Sequence, residues 1–195
     1  MPAPPTRLTA CLLLSSLFVL SAKAAEKVFH AGAFAADITP TNFPVIVNGG
    51  FREKTSDTVH DRLHARCLVL DDGTERIAFV VADSCMVPRD LLDRAKSMAF
   101  ETTGIRPEKM LISSTHTHSG PSAMGALGSS ADPHYIKVLP AMIAEGIRQA
   151  NSRRQPARVG WAVIDAPEHT KSRRWILRPD KLRGDPFGDV TVRAT

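Results

Sequence analysis

Two imidazoles, His116 and His118, follow the apolar run Met110-Leu111-Ile112-Ser113-Ser114 and stand directly before Ser119-Gly120-Pro121. An apolar run bounded by a turn signal reads as a buried strand that ends in a loop. Side chains two apart in extended backbone point the same way, so both rings are expected to face one cleft. Sheets of α/β proteins bind ligands just beyond the carboxyl ends of their strands, where this pair falls. Neutral imidazole is the commonest protein ligand for zinc and also titrates near neutrality, so the pair suits a metal, a proton transfer, or both. A bare H-x-H is also what a polar loop held by hydrogen bonds looks like. The continuous strand, Ser/Thr shoulder and Gly-Pro turn favour the chemical reading, because catalytic groups concentrate on loops held by a rigid scaffold.

The surrounding pattern predicts an α/β fold: a mixed sheet containing a β-hairpin and a βαβ crossover, with helices packed on it. Residues 28–37 read as a strand stopped by Pro40, which pins Thr39 in extended geometry. Gly49-Gly50-Phe51 reads either as backbone passing close to something or as a surface loop with positive φ. Residues 63–70 and 76–82 form a hairpin around Asp72-Gly73, and the second strand, apolar on both faces, is expected to be covered above and below. Asp83 then follows that strand as His116 follows the later one. Residues 91–99 carry helical spacing and Gly104 a stop, so this helix crosses over to the His-bearing strand and predicts parallel pairing. Asp83 would then share an edge with His116, either holding an imidazole by hydrogen bond or capping a helix. A second helix starts at Asp132-Pro133 and is kinked or split by Pro140. Residues 158–165 read as a further strand, and beyond His169 the chain becomes basic and aperiodic, a loop cut off mid-course.

Residues 1–24 read as an export signal: Arg7 supplies the charge, residues 8–20 the apolar core and Ala22-Lys23-Ala24 the cleavage site. The expected location is periplasmic or secreted. Cleavage leaves 195 − 24 = 171 residues, one domain over 25–195, and removing Arg7 and Lys23 leaves 23 basic against 20 acidic residues. At 6% aromatic and without a recognition helix or stacking motif, an exported chain is not expected to bind nucleic acid. Its mild positive charge suits a solvated surface or peripheral contact with an anionic membrane. Of the cysteines left, a two-residue turn would set Cys67 opposite Ala78, roughly 23 Å from Cys85 at ~3.3 Å per residue. That is too far for a disulfide. Both read as buried thiols, with an approach of Cys85 to the cleft left open.

Gly32 with Asp37-Ile38-Thr39-Pro40, Gly49-Gly50-Phe51, Asp61-Arg62-Leu63-His64-Ala65-Arg66, Asp83 and, above all, Thr115-His116-Thr117-His118-Ser119-Gly120-Pro121 resemble the N-terminal domain of neutral/alkaline non-lysosomal ceramidases. The resemblance runs over essentially the whole of residues 25–195. It implies a zinc-dependent amidase that cleaves the N-acyl bond of ceramide to give sphingosine and a fatty acid. By the same resemblance His116 is a zinc ligand, and His118 is a non-ligand reaching toward substrate and nucleophile. Arg173, in a loose match to the family's Asn-Arg-Ser segment, binds substrate. The family's second histidine ligand, glutamate, tyrosine and nucleophilic serine have no counterpart before Thr195, so the chain is expected to be incomplete and inactive alone. Two other readings remain at this point. One is another metal-dependent hydrolase built on His116 and His118, against which stands the missing Asp-His continuation of a metallo-β-lactamase motif. The other is an exported binding domain without catalysis.

Overall fold

The computed structural model describes residues 27–172 and 174–194; the expected export signal and Arg173 lie outside them. The chain divides into a first unit ending at Arg158 and a second spanning Val159–Thr195.

The strands of the first unit are β1 His30–Asp37, β2 Val45–Val47, β3 Lys54–Ser56, β4 His64–Asp71, β5 Arg76–Ala82, β6 Met110–Ser114 and the two-residue β7 Gln155–Pro156. Five of them form a mixed sheet in the order β6-β5-β4-β1-β7, and β2 pairs with β3 in a separate hairpin. Helix α1, Arg89–Thr103, joins β5 to β6, which pair in parallel as the crossover requires. Gly104 ends it in a left-handed conformation at φ 69°, where a side chain would be strained. Helix α2, Tyr135–Ser152, follows. Ala65, Cys67 and Val69 of β4, Ala78, Val80 and Ala82 of β5, and Leu139, Ile143 and Ile147 of α2 belong to one buried core. Helix and sheet approach closely at Gly146: a Cβ there would stand 2.7 Å from Cys67 Sγ.

Several expectations change. The hairpin closes with four residues instead of two, pairing Asp71 with Arg76 and Cys67 with Val80. Asp72 causes this: its Oδ1 accepts the amides of Thr74 at 2.7 Å and Glu75 at 2.8 Å, an Asx-type turn that outcompetes the tighter loop. Both thiols are nevertheless free and buried. Strand β5 is covered on one face only, Phe79 and Val81 being 38% and 40% exposed, because both helices lie on the Val80 side. Helix α2 runs through Pro140 unbroken; the buried ring takes its place in the core, and its packing offsets the lost backbone bond. Its first turn is capped by Asp132, whose Oδ1 accepts the amides of His134 and Tyr135. Pairing along β1 stops at Pro156, so the expected strand over residues 158–165 has no partner there and is irregular.

The second unit contains two 3-10 turns, Pro167–His169 and Pro179–Lys181, and isolated bridges joining Ile176 to Ala194 and Arg183 to Val192. Asp185 organises its last loop by accepting the amides of Phe187 and Asp189 and the Thr191 hydroxyl. Among the described residues no helix is long and apolar enough to cross a membrane.

Candidate metal centre and adjoining cleft

The parallel β5–β6 pair brings two strand ends side by side, with Ala82 opposite Ser114. Two backbone bonds continue the ladder into the loops: the Thr115 amide donates to Ala82 O at 3.0 Å and the His116 amide to Ser84 O at 3.0 Å. His116 is left-handed, at φ 65°. This costs a non-glycine residue on the order of 1 kcal/mol and turns the chain sharply out of the sheet. The imidazoles therefore converge through that turn and not through strand alternation. Their rings meet edge to face, with centroids 4.9 Å apart and planes at 80°.

His116 Nδ1 lies 2.8 Å from the carbonyl oxygen of Cys85. A carbonyl can only accept, so Nδ1 carries the proton and Nε2 is the basic nitrogen of the ring. Cys85 Sγ is 3.7 Å from the same Nδ1. One donor atom from each of Cys85, His116 and His118 falls within 4.8 Å of the others, a thiol and two imidazoles gathered as soft metals require. These residues thus fit a zinc ion by donor chemistry. Burial pushes the Cys85 thiol pKa up. Cys67, enclosed between sheet and α2, is pushed up to about 12 by the same cause.

His118 differs from His116 in one respect: it lines a cleft of about 450 Å³ with Ser119, Gly120 and Pro121 on one side and the β2–β3 hairpin on the other. Pro40, Phe43, Val45, Val47 and Leu63 make much of this cleft apolar, while Lys54, His60 and Asp61 bring charge and polarity to it. The hairpin is tied to the histidine loop through Asn48. Its amide donates to Gly120 O at 3.3 Å, and its Nδ2 donates to Ser122 Oγ at 3.0 Å and Met124 O at 2.8 Å. Asn48 Oδ1 is buried without a hydrogen-bond partner among the described residues. Gly49 then passes directly over His118: at φ 105°, a Cβ there would sit 2.5 Å from both Cβ and Cγ of the histidine. Both readings of the glycine pair hold at this position, the close approach and the positive φ.

Asp83 reaches the same edge as His116, but its carboxylate bonds Arg66 Nη1 at 2.8 Å and the His64 amide at 2.9 Å. It binds β4 to the end of β5 instead of an imidazole, and it caps no helix. Burial works to raise its pKa, but the Arg66 and His64 bonds outweigh that and hold it below the usual carboxylate range. Sequence alone misses Asn48 as a neighbour of the histidine loop and leaves the approach of Cys85 open. The parallel register is the signal that settles Cys85, since the residues after Ala82 must run beside those after Ser114.

No family model matches the chain. Neutral ceramidase A of Dictyostelium discoideum is 26% identical over 166 residues, covering 68% of this chain and 23% of that protein. Neutral ceramidase B of the same organism is 25% identical over 203 residues, covering 87% and 28%. The crystal structure of neutral ceramidase from Pseudomonas aeruginosa superposes with a TM-score of 0.59 at 23% identity, over 67% of this chain and 22% of that one. A ceramidase complexed with C2 gives 0.56 at 23%, over the same shares of the two chains. The chain therefore spans about a quarter of the length of the relatives it matches. Fold likeness and sequence likeness meet on one group of proteins, and on these grounds the chain carries a neutral ceramidase-like region.

Proposed function

We propose that a protein carrying this region is a zinc-dependent amide hydrolase acting on the N-acyl bond of ceramide or a related N-acyl lipid. The observation that carries the reading is the pairing of His116, held by the Cys85 carbonyl with a free basic nitrogen, with His118 on the wall of a largely apolar cleft. His116 would hold the zinc. When bound, zinc supplies Lewis acidity at an amide carbonyl. His118 orients the scissile amide and moves a proton at an imidazole nitrogen, work that requires hydrogen-bond reach to the substrate. The apolar side chains of the cleft exclude water and take up hydrocarbon. Arg173 is proposed to bind the substrate. Asp83 supports the site indirectly, by fixing the strand end from which Ser84 holds the His116 amide.

The resemblance calls for further ligands and a serine nucleophile that residues 1–195 do not provide, so the 195-residue chain by itself is proposed to be inactive. Export through residues 1–24, and with it action at a membrane surface, belongs to the same proposal. The test is hydrolysis of a fluorescent N-acylsphingosine by the protein carrying this region, before and after chelation and zinc restoration. Chelator-sensitive release of the fatty acid is expected; release unaffected by metal removal overturns the zinc assignment.

A further inference from the structure

Lys54 has no part in the amide-hydrolase roles above, yet it lines the same cleft as His118. Backbone pairing sets its place there. Val47 of β2 pairs with Lys54 on one side and bridges to Pro121 of the histidine loop on the other, so β3, β2 and that loop run side by side at the usual strand spacing of ~4.8 Å. The turn between β2 and β3 then touches both side chains through consecutive residues. Gly49 lies against His118, and a Cβ on Gly50 would stand 3.1 Å from Lys54 Cε and 3.7 Å from its Nζ. The ammonium is thus held beside the same turn that covers the imidazole. Neighbouring cations are neutralised by the fold, Arg62 by Asp37 at 2.6 Å and Arg66 by Asp83 at 2.8 Å. Lys54 is not: among the described residues its ammonium has no acidic partner. The adjacent Glu53 is committed to the Ser130 amide at 2.8 Å, and Asp61, in the loop after β3, stands 4.0 Å from His60.

We infer that Lys54 receives an anionic group of the substrate, a carboxylate or a phosphate carried on the amine portion close to the scissile amide. This rests on the amide-hydrolase reading and narrows its substrate class from N-acyl lipids at large to those whose amine portion is negatively charged. The acyl chain goes to Pro40, Phe43, Val45 and Leu63, which offer no charge, so the anion belongs on the other side of the amide. An N-acyl amino acid carries its carboxylate on the carbon next to the amide nitrogen, and an N-acyl phosphoamino alcohol carries its phosphate slightly further out. An ammonium on a flexible stem accepts either group. Once the acyl chain has displaced water from the cleft, the attraction is screened less than between charges on an open surface.

The protein carrying this region is assayed at low ionic strength for release of the fatty acid from two matched pairs of amides. One pair is N-dodecanoylglycine and its carboxamide, N-dodecanoylglycinamide; the other is N-dodecanoyl-O-phosphoethanolamine and N-dodecanoylethanolamine. Within each pair the ratio of kcat/KM, anionic over neutral, is measured for wild type, Lys54→Met and Lys54→Arg. In wild type the anionic member of at least one pair should be favoured about tenfold, as a charge-assisted hydrogen bond provides. The pair that shows it tells carboxylate from phosphate. Lys54→Met keeps the stem without the charge and should bring that ratio close to one, whereas Lys54→Arg should retain most of it. Added salt should lower the wild-type ratio. A wild-type ratio near one in both pairs, or a preference that Lys54→Met leaves intact, overturns the inference while the hydrolysis observed upholds the amide-hydrolase reading. Failure to hydrolyse either pair or ceramide overturns that reading and the inference together.

Discussion

The Nδ1–H of His116 and the carbonyl oxygen of Cys85, with 2.8 Å between nitrogen and oxygen, join the end of β6 to the end of β5 and set the orientation of the ring. Metal-binding histidines commonly have their second nitrogen tied in this way, which fixes the tautomer before the ion arrives. Here the tie is to backbone, so substitution of the Cys85 side chain leaves it in place.

Gly49→Ala should damage the site without replacing a catalytic group. The substitution strains a φ of 105° and drives a methyl into His118. A loss on the order of 1–3 kcal/mol in urea unfolding is expected, with turnover falling further than metal content. A variant as stable and as active as wild type would show that the loop does not hold His118.

Acid should weaken the fold before it removes secondary structure. Asp37 is held at about 2 by hydrogen bonds from Thr39 and by Arg62, and Asp83 is lowered through Arg66 and His64 against the opposing effect of burial. Their folded pKa values lie below the unfolded ones, so the stability they contribute is present above about pH 4 and is lost as pH falls toward about 2. Urea midpoints measured between about pH 6 and about pH 3 should fall for wild type. Asp83→Asn should show a shallower fall, and an equal slope would deny Asp83 its part.

The main hairpin strands, the crossover and the edge that carries the histidines can be read from residues alone, because periodicity encodes them. The D-G turn alone misplaces the register, the short β2–β3 pair has too little pattern to show, and residues 158–165 form no strand despite their pattern. The details that aim the histidines cannot be read in this way. The left-handed His116 depends on the Ser84 and Cys85 carbonyls, which only the folded register supplies. The position of Asp83 at the end of β5 follows from the chain order, but the pull of Arg66 on β4 is invisible without the pairing. Apolar Phe79 and Val81 suggest burial on both faces, whereas hydrophobic content by itself does not say which face a helix covers.

Thiol chemistry should separate the two buried cysteines. Cys67 lies under Gly146 and is pushed up to about 12, so in the native protein it should resist alkylation. Cys85, which lies beside the two exposed imidazoles at the loop edge, should label faster. Mass spectrometry of pulse-alkylated protein, native and unfolded, checks both; rapid native labelling of Cys67 would contradict the packing of α2 on the sheet.

The central claim is that His116 carries the metal on which amide hydrolysis depends. The most direct measurement is zinc content together with ceramide hydrolysis in the protein carrying this region, for wild type, His116→Ala and His116→Asn. Asparagine tolerates left-handed backbone and so keeps the turn while changing the ligand. The account predicts that both variants remain folded, that zinc content falls to background, and that turnover falls with it by a factor of at least ~10². Full zinc occupancy with full turnover in His116→Asn would contradict it.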